Sequence, residues 1–283
     1  MKTGLVLEGG GMRATYTIGV LDVMMENGIE YDGIIGVSAG AIHGASYKAR
    51  QPGRNIRYYK KYAHDKRFMS FRNMILTGDM VGKKFCYEDI PWTLDPIDND
   101  AFKENPTEFY AVCANVLTGG TEYFKVDDLK DPVQMEYLRA SATLPFVSKI
   151  VNVGGYKLLD GGMTDSIPLR RFQQMGFEKN VVVATRTDSY VKEAENIGLA
   201  NILYHAYPNF LNAMKERPKM YNEQKEYILA EEKKGSIFFI RPSEELGISR
   251  TDADPDHLEE VYQIGRKDAE RLLPKLREYL EVK

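Results

Sequence analysis

The 283-residue chain is 43% apolar and 28% charged, an ordinary balance for a globular protein with a core, and long enough for one large domain or two modest ones. Its formal charge of -3 creates no global field for nucleic acid. Polynucleotide partners are not expected, and any attraction to an anionic surface has to come from a local patch. The opening MKTGLVLEGGGMR lacks the apolar run of a signal peptide, and no stretch reaches the roughly 18 uninterrupted apolar residues of a spanning helix. The expectation is a cytoplasmic protein that at most rests on a membrane. Cys86 and Cys113 lack metal spacing and read as reduced core thiols.

In chain order, TGLVLEG reads as a strand, Ala14 to Asn27 as a helix closed by Gly28, GIIGV as a second strand, and the stretch from Ala39 as a second helix. That is a βαβ unit. From about Asp65 to Asn105 the text turns irregular, an insertion placed to cap a site. FYAVCANV and TEYFKV, joined by LTGG, read as a hairpin. NVVVATR and SIFFIRP supply further strands, and helical patterns cover about 132–142, 166–176, 192–230 and 256–281. The alternation predicts an α/β fold, three layers in the order α/β/α around a mostly parallel central sheet. The part from about Ser243 reads as a docked helical extension, not a separate domain. No repeat or low-complexity tract interrupts the chain.

Gly36-Val37-Ser38-Ala39-Gly40 lies between strand and helix. A turn this sharp needs small residues on either side of the serine, which then projects from the sheet edge at a helix N-terminus, the place of a nucleophile. A plain small-residue turn is the bland alternative. Gly9-Gly10-Gly11, which end the first strand, offer a fan of backbone NH groups suited to an oxyanion. Gly9 to Ala14 also match a dinucleotide fingerprint. The second strand, however, ends on Gly36 and Ser38 where such a fold needs an acid for the ribose.

A serine nucleophile needs a base. His43 follows Ser38 by five residues on the same helix, so it points to another face and reads as a packing residue. His64, His205 and His257 lie in helical stretches away from any strand end. Asp160 does stand at such a junction, after YKLL and before Gly161-Gly162. Taken alone, an aspartate before two glycines is a turn former.

With EGGGMRA, GVSAG and LDGG in that order, the chain resembles the patatin-like phospholipase family over about residues 3 to 190. With the pattern above, the resemblance makes 1–242 a patatin-like catalytic domain that carries the 65–105 insertion read above as a candidate cap, and 243–283 a C-terminal helical extension similar to one found in a bacterial branch. It implies that Ser38 is the nucleophile and Asp160 the proton acceptor of a dyad without histidine. The amides around Gly10, Gly11 and Met12 become the oxyanion hole, with Gly9, Gly36, Gly40, Gly161 and Gly162 supporting the motifs. ASATLPFV, residues 140–147, is similar to the family's small-residue segment ahead of the aspartate. Ala14 departs from the family's usual glycine, and Glu8 from the aspartate of many relatives, without an assigned role.

The implied activity is that of a lipolytic serine acyl hydrolase, phospholipase- or lysophospholipase-like, working through an acyl-enzyme. The alternatives are an α/β-hydrolase esterase with a Ser38, Asp160 and His205 or His257 triad, and a non-catalytic protein that binds lipid or phosphate. The expected partner is a lipid acyl ester. No cofactor or metal is expected, since no cluster has calcium or zinc spacing. Lys66 to Phe85 interleaves apolar and basic residues and suggests peripheral membrane contact, although lysine stems covering a core produce the same pattern.

Overall fold

The computed structural model describes residues 1–194 and 196–281. Its strands are β1 (Lys2–Leu7), β2 (Gly33–Val37), β3 (Glu108–Asn115), β4 (Thr121–Lys125), β5 (Val151–Val153), β6 (Tyr156–Asp160), β7 (Phe177–Val183) and β8 (Ile237–Ile240). The helices are α1 (Thr15–Glu26), α2 (Ala39–Lys48), α3 (Arg54–Tyr62), α4 (Phe71–Thr77), α5 (Asn99–Glu104), α6 (Pro132–Ser141), α7 (Leu169–Gln174), α8 (Gly198–Leu203), α9 (Pro208–Lys233) and α10 (Pro255–Leu280), with a π-helical stretch over Phe85–Leu94. The strands form one mixed sheet in the order β5-β6-β3-β2-β1-β7-β8, with β4 paired to β3. The run from β3 through β2, β1 and β7 to β8 is parallel, and β4, β5 and β6 pair antiparallel.

The central strands are apolar on both faces because both faces are covered. Leu5, Leu7 and Ile34 face a core shared with α1, α2, α3 and α10, and Val6, Ile35 and Val182 face one shared with α7 and α9. Helix α1 is buried almost all round, so it needs cover on the side away from the sheet. Helix α10 supplies it. The two cross where a Cβ on Gly265 would lie 2.1 Å from the Tyr16 carbonyl oxygen and one on Gly19 2.2 Å from that of Tyr262. Polar ties flank the crossing: Tyr16 donates to Asp268 at 3.2 Å, Tyr262 to Asp22 at 2.9 Å, and Arg266 grips Glu26 with both terminal nitrogens at 2.7 and 2.8 Å. The helical tail expected from residue 243 is thus part of the core, and β8 completes the sheet edge. Val282 and Lys283, the last residues of that expected extension, lie outside the described residues.

The single helix expected over 192–230 is two, apart from Glu195, which lies outside the described residues. Proline has no amide proton for a continuing helix and disfavours helical backbone in the residue before it. Pro208 accordingly opens α9, with Tyr207 at φ −127° and ψ 67°. Strand β5 was not expected; it is three residues long, too short for an alternating pattern to register.

Candidate active site

Strand β3 acts as a ruler that sets two distant segments side by side. Val112 pairs with Val37 of β2 and with Tyr123 of β4, while the next residue, Cys113, pairs with Asp160 of β6 and Glu122 of β4. A strand residue has one partner on each edge, so β4 occupies one edge and β6 takes over the other where β2 stops. Ser38, immediately after Val37, and Asp160 therefore meet at the end of β2, although they are remote in sequence.

Ser38 has φ 55° and ψ −127°, a left-handed, strained backbone for a residue with a side chain. The glycines make that turn sterically accessible. A Cβ on Gly9 would sit 2.8 Å from the Ser38 Cβ, and one on Gly40 would sit 2.6 Å from the Leu7 carbonyl oxygen, so both positions exclude any side chain. The Ser38 amide donates to the hydroxyl of Ser141, 2.9 Å away and fully buried. Two residues on, the Thr143 carbonyl accepts the Asp160 amide at 2.8 Å. The small-residue segment thus holds both candidate residues through one short stretch of chain.

Asp160 is 3% exposed. Its Oδ1 accepts the Gly162 amide at 2.8 Å, and Oδ2 is shut off from solvent without a hydrogen bond of full geometry. Burial raises its pKa above the ordinary aspartate range, against the opposing pull of the Ser38 hydroxyl, the Gly162 amide, and the positive charges of Arg217 and Arg250. Arg217 Nε also donates to the Gly162 carbonyl at 2.7 Å, which fixes the turn that carries Asp160.

On the other side of Ser38, Gly11 takes φ 57° beneath the backbone of Arg250. Among the described residues, no protein acceptor takes the amides of Gly10 and Gly11. The Met12 amide differs: it donates to the Arg250 carbonyl at 3.1 Å. Of the three residues expected around an oxyanion, Met12 has its donor already engaged, because the C-terminal segment crosses the loop there. Ala14, with φ −68°, carries its methyl without strain. Glu8 is a brace. It accepts the Thr185 amide at 2.6 Å and the Tyr221 hydroxyl at 2.8 Å, linking the ends of β1 and β7 to α9.

Two cavities share Ser38. The larger, about 350 Å³, is mostly apolar and runs between α2 and the expected cap, past Tyr59, Met80, Tyr87 and Phe146. The smaller, about 50 Å³, is lined by several charged side chains, Asp160 among them. No histidine lines either one. His43 is fully buried with its ring edge against Tyr59, centroids 5.3 Å apart. His205 lies just past α8 and its ring bonds the Ile202 carbonyl, and His257 lies exposed beside Asp252.

The model of the family described as patatin-like phospholipase matches residues 5–172. The chain belongs to the patatin-like phospholipase family. A second model, described as a domain of unknown function, DUF6363, matches residues 207–281, the stretch that holds α9, β8 and α10. The uncharacterized protein YjjU of Escherichia coli K12 is 25% identical over 94% of this chain and 75% of its own length. Lysophospholipase nte1 of Aspergillus terreus is 28% identical over 62% of this chain, which spans only 11% of that protein. The NTE family protein Rv1063c of Mycobacterium tuberculosis H37Rv is 26% identical over 65% of this chain and 49% of its own. The crystal structure of VipD from Legionella pneumophila aligns over 97% of this chain and 67% of that one, with TM-score 0.48 and 14% identity.

In this patatin-like chain the glycine-rich turns were readable from the sequence, but several residues that hold them were not. Ser141 has a faint signal as a hydroxyl in a small-residue run. Arg217, Arg250 and Glu8 have none, since their partners lie on other elements.

Proposed function

We propose that the protein hydrolyses a carboxylic ester of a lipid through an acyl-enzyme on Ser38, with Asp160 as its base. The observation that carries this reading is the buried Asp160 carboxyl, held by the Gly162 amide on Oδ1 and close enough to the Ser38 hydroxyl for that hydroxyl to lower its pKa. The absence of histidine from both cavity linings argues against the triad. In the first step the Ser38 oxygen attacks the ester carbonyl and its proton passes to Asp160 Oδ2. The amides of Gly10 and Gly11 receive the oxyanion, and Asp160 then protonates the departing alcohol. Water repeats the sequence on the acyl-enzyme. A dry carboxylate of raised pKa is a better base than one in water, which is what a dyad without imidazole requires.

The large cavity suits an acyl chain: its volume falls within the range of ordinary ligand pockets, and its walls are Met, Tyr, Phe and Ile. The lysophospholipase name of the Aspergillus relative favours the same substrate class. Peripheral membrane contact, if through lysine charge, has little to draw on at Lys83 and Lys84, which pair with Glu136 and Asp89. Helix α4 is the better surface, with Phe71, Ile75 and Leu76 each more than two-thirds exposed beside the cavity wall. Ile75→Asp should then reduce co-sedimentation with phospholipid vesicles; unchanged binding removes this contact.

A fluorophosphonate probe tests the main reading. It should label the wild type and fail on Ser38→Ala, and Asp160→Asn should lose roughly a hundredfold or more in ester turnover with its circular dichroism unchanged. Wild-type turnover in Asp160→Asn would end the dyad reading.

A further inference from the structure

The small cavity beside Ser38 is built around positive charge. Arg13 follows the glycine loop, Arg186 follows β7, and Arg250 precedes α10, and all three line it. Arg13 is 7% exposed, and its Nε is shut off from solvent with no acceptor. The one carboxylate acting on it is Glu8, whose oxygens are held by Thr185 and Tyr221. Arg186 spends its flat face on Tyr190, 4.3 Å from the ring centroid. Among the described residues, none of the three guanidinium groups has an ion-pair partner.

Such a group cannot escape by losing its proton in the neutral range. Burial, with the like charges of Arg186 and Arg250, pushes Arg13 down only to about 10, so it stays cationic at neutral pH. A cluster of buried or half-buried like charges opposes folding, and a fold that keeps one beside the proposed nucleophile is suited to taking up an anion there. Guanidinium forks match the oxygens of phosphate in geometry as well as charge. At about 50 Å³ the space suits a single oxyanion. Of its two carboxylates Glu8 is held by Thr185 and Tyr221 and Asp160 is taken up by the Gly162 amide and the Ser38 hydroxyl, while Arg186 covers Tyr190, so little is left for a quaternary ammonium group.

We infer that this cavity binds the phosphate of an anionic lipid headgroup, Arg13, Arg186 and Arg250 supplying the counter-charge while the acyl chain lies in the apolar cavity on the other side of Ser38. The assignment rests on the reading of Ser38 as the nucleophile. It makes the substrate an acyl ester whose headgroup is a phosphate without an ammonium of its own, such as a lysophosphatidate. It also makes the C-terminal segment part of the substrate site through Arg250, whose backbone carbonyl already crosses the loop at Met12.

Calorimetry on full-length Ser38→Ala separates binding from turnover. The ligands are a lysophosphatidate, the lysophosphatidylcholine and monoacylglycerol of the same chain, and inorganic phosphate. The lysophosphatidate should bind about tenfold or more tighter than the monoacylglycerol, and tighter than the choline lipid. That preference should weaken with added salt. Adding Arg186→Gln or Arg250→Gln should lower the ratio of lysophosphatidate to monoacylglycerol affinity roughly tenfold, and Arg250→Lys should recover part of it. Because a ratio is read, a general loss of folded protein cannot imitate the result. Equal affinity for the charged and neutral lipids, or a ratio unmoved by either glutamine variant, overturns the assignment. So does inorganic phosphate binding as tightly as the lysophosphatidate, which would make this a site for free phosphate. Loss of the nucleophile reading would appear elsewhere, as a wild-type Ser38 that no fluorophosphonate labels, while the binding ratios still decide the subsite.

Discussion

His43 allows a sharp test, because its burial has consequences for stability and its position has consequences for catalysis. The ring is fully buried, and desolvation pushes it down from an ordinary 6.5 to about 3. Its folded-state pKa lies below the unfolded one, so the neutral ring's contribution is complete above about pH 6.5 and is lost as pH falls toward about 3. Linkage between these two values makes the loss about 2 kcal/mol at about pH 5 and about 5 kcal/mol when complete. His43→Leu removes the titration. Urea unfolding of both proteins at about pH 8 and about pH 5 should show the wild type losing about 2 kcal/mol more than the variant. Any packing cost of leucine is common to both pH values and drops out, as do the other titrating groups. Parallel losses in the two proteins would refute the reasoning, since the imidazole would then be solvated or paired. His43→Leu should also keep its ester turnover, because His43 lines neither cavity at Ser38; a folded variant without activity would return the imidazole to the mechanism.

Two further outcomes follow from Asp160 and from the α1–α10 crossing. The acid limb of the kcat/KM profile should reach half its height above the ordinary aspartate value of about 3.9, since burial raises Asp160. A group raised in the folded state contributes its stability below the unfolded pKa and loses it as pH rises through the folded one. Asp160→Asn should therefore unfold at a higher temperature than the wild type at neutral pH, with the gap closing below about pH 4; a gap independent of pH counts against the buried charge. Gly265→Ala places a methyl 2.1 Å from the Tyr16 carbonyl, so the helices must separate at a cost of about 1–3 kcal/mol, more than the up to about 1 kcal/mol that alanine returns in helix propensity. A rise in the denaturation midpoint would contradict this packing.

The parts of the site legible in the sequence are those in which the local backbone leaves few residue choices. A strained serine between strand and helix requires glycines beside it, and an aspartate whose carboxylate accepts the amide two residues on stands before glycines for the same reason. GVSAG and LDGG carry that geometry openly. The sheet order was less open. That β6 continues the edge of β3 vacated by β2 follows from pairing between Cys113 and Asp160, and pairing register over such a distance leaves no local pattern. Strand β5 was too short to read, and the break before Pro208 was masked by helical patterns on both sides. The Met12 amide looked free in the glycine loop because its acceptor, the Arg250 carbonyl, lies 238 positions later.

The last of these points bears on how the chain divides. Residues 5–172 contain Ser38, Asp160 and the glycine turns around them, which makes the proposed dyad look complete without the rest. The acidity of Asp160 depends on more than those residues. Burial raises its pKa, and Arg217 of α9 and Arg250 of the segment before α10 lower it. An aspartate raised too far would be protonated at neutral pH and useless as a base, and one left in water would be too weak. The C-terminal part supplies the charges that oppose burial, closes the glycine loop at Met12 and covers α1. A boundary at 172 falls where the patatin-like match ends and one at 242 falls inside the second matched stretch, and each cuts through the electrostatics around Asp160.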